Sequence, residues 1–182
     1  MTRITPINPS AATGKAATLL EKVRGALGIV PNLMANLAHS PAALEGYLSL
    51  SGALRGGTLG GRVGEQIALA VAERNGCDYC LAAHTLLGGK AGLNPADVES
   101  ARRGTAADPK AAAAVALATA VLRTKGNVPD ADVAAARAAG LTDGELAEVV
   151  AHVALNVLTN FFNNLAGTPI DFPPAAPLAP AA

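Results

Sequence analysis

Apolar residues recur along this chain at three- and four-residue steps, and nowhere do they alternate with polar ones as a half-buried strand requires. Glycine and proline cut the periodic stretches into nine segments that read as helices: about 15–27, 31–38, 41–54, 62–75, 77–91, 95–103, 109–125, 130–139 and 143–165. Ser40-Pro41, Asn94-Pro95 and Asp108-Pro109 each set a capping side chain before a proline whose fixed φ suits the first helical position. Thr142 with Glu145 three residues on forms a capping box. Gly28, Gly76, Gly92, Gly104, Gly126 and Gly140 follow the predicted helix ends, where a left-handed residue stops the spiral. Four glycines between Arg55 and Gly61 mark a loop. The predicted class is all-α.

Composition narrows this further. Alanine and leucine, the strongest helix formers, dominate a chain of 182 residues with only three Phe, two Tyr and no Trp. A single domain over residues 1–172 is expected, with a Pro/Ala tail over 173–182 that packs no element of its own and lies extended on a surface or stays mobile. Fourteen basic residues balance fourteen acidic ones, so the positive footprint and stacking platforms of a nucleic-acid binder are both missing. The N-terminal residues lack the apolar segment of a signal peptide. Val149 to Ile170 carries no Asp, Glu, Lys or Arg and is long enough to span a bilayer. His152, Asn156, Thr159, Asn160, Asn163 and Asn164 make it too polar for a lone span, so a soluble, cytoplasmic protein is expected. Two readings fit this last helix: it packs against another subunit with Asn156, Asn160 and Asn163 setting register, or it is a central core helix with internal amide bonds. The limited interior of a small protomer favours the first.

The chemistry concentrates in Glu73-Arg-Asn-Gly-Cys77-Asp-Tyr-Cys80-Leu-Ala-Ala-His84. Gly76 ends one helix and Cys77 opens the next, so both cysteines fall in a first turn, where free N–H groups and the helix dipole favour thiolate. Three- and four-residue spacings put Cys77, Cys80 and His84 on one face. An imidazole beside a thiol accepts its proton and then stabilises the thiolate. Zinc is a competing reading, but Cys77, Cys80 and His84 supply three ligands at most, and a fourth must come from Glu65, His39 or His152. A pair of inert buried cysteines is another. A thioredoxin-type site expects a strand before the pair, and none is predicted. A carboxylate should complete a proton relay, and both Glu73 and Glu65 lie on nearly the same face. Spacing alone does not choose between them. His39, before a helix cap, reads as structural or interfacial, and His152 as an interior residue.

Glu65, then Cys77-Asp-Tyr79-Cys80 and His84, resembles the active-site motif of the AhpD-like alkylhydroperoxidases, within the carboxymuconolactone decarboxylase-like superfamily. Leu27-Gly-Ile-Val-Pro31-Asn32, Ala38-His39-Ser40-Pro41 and Asn156-Val-Leu-Thr-Asn160-Phe-Phe162-Asn are similar to the peroxidase-related branch of that family. The resemblance implies an orthogonal bundle of about eight or nine helices that assembles as a trimer or hexamer. It implies that Cys80 is the peroxide-attacking thiol, Cys77 the resolving thiol, and His84 with Glu65 the proton relay. Some members carry a second histidine between the cysteines. This chain has Tyr79, which at neutral pH donates hydrogen bonds but is no base. Tyr79 and Glu73 are therefore secondary candidates. The implied activity is reduction of small alkyl hydroperoxides with no cofactor and no metal. A lipoyl-bearing protein or similar dithiol is the implied reductant and a peroxiredoxin a possible neighbour. The alternatives are a disulfide reductase or electron relay without peroxide, a non-redox lactone decarboxylase, and a non-catalytic helical module. All the thiol readings require sulfurs that another molecule can reach.

Overall fold

The structure, a computed structural model, describes residues 1–178. Among them a 3₁₀ turn at Pro9–Ala11 leads into nine α-helices: α1 Gly14–Leu27, α2 Asn32–Leu37, α3 Pro41–Arg55, α4 Gly60–Arg74, α5 Asp78–Lys90, α6 Pro95–Arg102, α7 Pro109–Thr124, α8 Asp130–Ala138 and α9 Asp143–Ala166. Each falls on a predicted segment, with boundaries moved by one or two residues at most, so the all-α reading stands.

The capping signals account for this agreement. Ser40, Asn94, Asp108 and Thr142 each accept a hydrogen bond from a backbone N–H in the first turn they precede. Asp97 and Glu145 return the bond to their N-cap backbone, which completes two capping boxes. One end departs from the pattern. Helix α7 closes on Lys125, which itself adopts the left-handed conformation at φ 54°, before Gly126. Helix α4 has no side-chain cap of its own. Glu148 of α9 supplies it instead, its carboxylate accepting from the Thr58 and Leu59 backbone N–H groups, each at 2.9 Å. Gly57 makes this approach possible, because a Cβ there would stand 2.6 Å from the Glu148 carboxylate.

Helix α4 is the hub, packed against α5, α6, α7 and α9. Its stretch Ile67–Ala72 is buried throughout, with alanines at every second position that let neighbours close in. Leu69 and Ala72 face one apolar cluster, with Leu19, Leu20 and Val23 of α1, Leu33 and Leu37 of α2, Leu44 of α3 and the two cysteines. Ile67, Ala70 and Val71 face a second, with Val115 and Ala118 of α7, Ala136 of α8, and Val149 and Val153 of α9.

Helix α9 matches the core reading on one side only. Asn156, Asn160 and Asn163 are buried, whereas Val150, Leu158, Phe161 and Leu165 are exposed, the last two at 56% and 60%. Its asparagines face the interior of the chain itself, so they are not placed to set the register of a subunit contact. The chain ends pack close by. Arg3 and Ile4 donate backbone N–H groups to the Ala166 carbonyl at 2.7 and 3.0 Å. His39 meets the Thr5 carbonyl at 2.9 Å, a tether for the N-terminal segment. Residues 173–178 run without helix or strand along the surface, where the Ala176 carbonyl accepts from Arg102. The remaining tail positions, 179–182, lie outside the described residues. No helix among the described residues is long and apolar enough to cross a membrane.

Candidate active site

The sulfurs meet where α4 turns into α5. Gly76, at φ 58°, lets the chain reverse, and Cys77 becomes the N-cap of α5. The Cys80 N–H donates to the Cys77 sulfur at 3.4 Å, so the helix-start benefit goes to Cys77 and not to both thiols as expected. One turn places Cys80 Sγ 2.7 Å from Cys77 Sγ, and both are free thiols. Of the two, Cys80 collects the other charge-stabilising groups. The Cys77 S–H donates to it, the His84 charge lies nearby, and the side chain of Asn163 donates an Nδ2–H at 3.3 Å. Against the cost of burial these hold the Cys80 thiol down at about 6. Cys77 moves the opposite way, because as the donor in that contact, and buried, it keeps its proton. At this separation the two titrate as a pair carrying one negative charge, and the charge resides on Cys80.

His84 follows Cys80 by one turn of α5, and its Nδ1 lies 2.8 Å from Glu65 Oε2 on α4. About a fifth of each side chain is exposed, 21% and 22%. Burial lowers the His84 pKa, but the Glu65 carboxylate and the Cys80 charge outweigh it, so the imidazole is raised above its usual value. The structure thus brings Glu65, Cys77, Cys80 and His84 together. Glu73 is elsewhere: its carboxylate accepts from the buried Arg102 guanidinium at 2.6 Å and takes no part in the cluster. The Tyr79 hydroxyl accepts the Leu33 N–H at 3.1 Å, and its ring meets Phe172 edge-on. Burial pushes its phenol above the usual range, so it remains protonated. His152 packs over Gly64, next to Glu65, with its pKa lowered by burial. No group of three or more His, Cys, Asp or Glu among the described residues is placed to hold a metal ion.

Two features were not legible beforehand. Both cysteines are closed off, 0% and 2% exposed, so the reachable pair expected from the sequence is not seen in this conformation of the protomer. The polar His84–Glu65 end reaches solvent, and on the other side Gly76, Tyr79 and Asn163 form part of the wall of a cleft of about 420 Å³. The second feature is the asparagines around Cys80. In the sequence they read either as a subunit contact, which the limited interior favours, or as internal amide bonds. Polar residues at three- and four-residue steps in an apolar helix were the signal, and a buried polar site inside the protomer was the other way to read it.

A family model described as the Carboxymuconolactone decarboxylase family matches residues 41–122, the stretch from α3 to α7 that holds all four clustered residues. A comparison with curated proteins finds no match. Among solved structures, the fold is similar to the alkylhydroperoxidase AhpD core of an uncharacterized peroxidase-related protein from Ralstonia eutropha JMP134, at 25% identity and a TM-score of 0.83 over 93% of this chain and 92% of that one. A peroxidase-related protein from Silicibacter sp. TM1040 shares the fold at 21% identity, with a TM-score of 0.77 over 95% and 93% of the two chains. The debrominase Bmp8 does so at 18% identity, with a TM-score of 0.78 over 94% and 93%. Helix order, the family match across the site and the nearly full-length fold similarity converge: this chain has the AhpD-like fold, and its residues 41–122 match the Carboxymuconolactone decarboxylase family.

Proposed function

We propose that this protein is a thiol-dependent peroxidase for small hydroperoxides. The observation that carries the reading is the pairing of a depressed Cys80 thiol, 2.7 Å from Cys77, with the His84–Glu65 pair one turn along α5. Two inert cysteines would sit among apolar atoms alone; Cys80 instead accepts from the Asn163 amide and lies within reach of the charge of His84, which Glu65 holds. In the first step the Cys80 thiolate attacks a peroxide oxygen. An S–O bond forms as the O–O bond breaks, sulfur gives two electrons to the peroxide, and the departing alkoxide takes a proton from His84. Cys77 then attacks the Cys80 sulfenic acid, forming the disulfide and releasing water. An external dithiol restores both thiols by exchange.

The closed sulfurs favour a slender substrate, because a hydroperoxide needs far less opening than a folded protein disulfide. A dithiol on a narrow arm, such as a lipoyl group, suits the return step for the same reason, and a peroxiredoxin is a further candidate in the cycle. The pair must return to the dithiol, which fits a reducing cytoplasmic setting. A second copy of the chain is assigned to the exposed apolar face of α9, in a trimer or hexamer.

The test is consumption of cumene hydroperoxide with dithiothreitol as reductant, wild type against Cys80→Ser. Loss of turnover in the variant is expected; equal rates remove the proposal. Two further arms separate the competing chemistries. Reduction of a small disulfide with no dependence on peroxide favours an electron relay. Bromide release from 2,3,4-tribromopyrrole, the ligand bound to a cysteine-to-alanine variant of the debrominase, favours dehalogenation.

A further inference from the structure

The inward asparagines of α9 differ in what they do. Asn156 donates its amide to the His152 carbonyl of its own helix at 2.8 Å. Asn163 instead donates to Cys80 Sγ at 3.3 Å, and its Oδ1 is buried without a partner. Asn160, fully buried, accepts the Asn75 Nδ2–H on its Oδ1 at 2.9 Å. That bond fixes which way the Asn160 amide faces, and its NH₂ is left buried with no acceptor. Asn160 lies one turn before Asn163 on the same buried face of α9, the face that meets Cys80 Sγ through Asn163, and its amide favours the Cys80 anion. An orphan donor and an orphan acceptor thus flank one reactive atom. Leaving such groups unpaired costs stability, and folded proteins retain them where another species completes the bonds. A sulfenic acid at Cys80 has the matching pair, an oxygen that accepts and an O–H that donates.

We propose that Asn160 and Asn163 form an amide cradle that holds Cys80 as its thiolate and then receives the oxygen transferred to it, Asn160 donating to that oxygen and Asn163 Oδ1 accepting its O–H. The second half rests on the peroxidase reading; the first does not. Asn75 acts one step back as a positioning residue, orienting Asn160. The oxygen arrives as described above, with S–O formation, O–O cleavage and the alkoxide protonated from His84. Cys77 expels that oxygen as water when the disulfide closes.

The experiment uses full-length protein carrying Cys77→Ser, so that one thiol titrates and the sulfenic acid persists. The rate of iodoacetamide alkylation is followed against pH for this parent and for added Asn163→Ala, Asn160→Ala or Asn75→Ala, each checked for native helicity. The midpoint is expected to rise by about one pH unit with Asn163→Ala and by less with the other two, because each removes or misorients a donor to the thiolate. After a peroxide pulse, the sulfenic acid trapped by dimedone is expected to decay several-fold faster in Asn160→Ala than in the parent. Unchanged midpoints in folded Asn163→Ala and Asn160→Ala overturn the thiolate cradle. A sulfenic-acid lifetime unchanged in Asn160→Ala overturns the oxygen-binding half. Should the α9 variants not fold, Asn75→Ala carries the test alone, and an unmoved midpoint there overturns the cradle. Alkylation needs no peroxide, so a shifted midpoint in a protein that never turns over peroxide retains the thiolate cradle and removes the peroxidase reading.

Discussion

Helices α5 and α9 begin in opposite ways. At α9, Thr142 and Glu145 cap each other through bonds of 2.8 and 3.2 Å, a reciprocal arrangement that fixes the helix start. At α5, the same duty falls to the Cys77 sulfur, a weak acceptor 3.4 Å from the Cys80 N–H. Oxygen side chains cap α3, α6, α7 and α9, whereas α1, α2 and α8 begin with no side-chain cap, so what sets the α5 start apart is the chemistry of its capping atom and not weak capping as such. The difference teaches where to look for chemistry: the helix start with the less effective cap is the one whose capping atom can be oxidised.

The largest effect should come from disconnecting the relay at that start. Glu65→Gln removes the carboxylate that raises His84. The imidazolium then loses its proton at lower pH and no longer supports the Cys80 thiolate. Peroxide turnover at neutral pH should fall by about 10²-fold, within the range of a lost acid–base group. In wild type, alkylation of the pair should rise with pH around 6, where Cys80 ionises, and fall as the pH drops through that value. In Glu65→Gln the same rise should come at higher pH. A profile identical to wild type would disconnect Glu65 from the sulfur.

Breaking the strong cap should cost stability without touching chemistry. Thr142→Ala is expected to lower stability by about 1 kcal/mol in urea unfolding, the usual value of a lost N-cap. Turnover per folded molecule should be unchanged, and a parallel loss of turnover would tie the α9 start to the site. Glu148→Gln tests the borrowed cap of α4, with an expected loss of up to about 1 kcal/mol. The Thr58 and Leu59 N–H groups hold the Glu148 carboxyl below its usual value of 4.5. Its contribution is therefore present above that pH and lost as pH falls through the depressed value. Wild type and variant should accordingly converge in acid, and a gap that persists there contradicts the assignment.

Most of the fold was legible because its signals are local. A capping oxygen, a proline at the first turn and a glycine past the last are readable within a few residues, and most of the helices among the described residues carry such a signal at one end or both. The cap of α4 was not, because Glu148 reaches it from 89 residues away. The Cys77–Cys80–His84 face followed from helical spacing. The choice of Glu65 over Glu73 did not, because it turns on Arg102 drawing Glu73 aside across the α4–α6 contact. Asn160 and Asn163 are legible as a stripe, but the stripe alone does not say whether it meets a subunit or the interior. Periodicity gives the face of a helix, and only packing says what that face meets.

The smallest effect should be the most diagnostic of the comparison. Cys77→Ser replaces the weak capping sulfur of α5 by a hydroxyl, a better acceptor for the Cys80 N–H, while removing an apolar atom from a fully buried position. The better cap and the lost burial are each about 1 kcal/mol and opposed, so unfolding stability should change by no more than about 0.5 kcal/mol. Cys77→Ala removes the acceptor altogether and should fall below Cys77→Ser by about 1 kcal/mol. Both substitutions remove the resolving thiol and should end peroxide turnover equally. A serine variant no more stable than the alanine one would mean that the sulfur caps nothing, and the contrast between α5 and α9 would then reduce to the cysteines' reactivity alone.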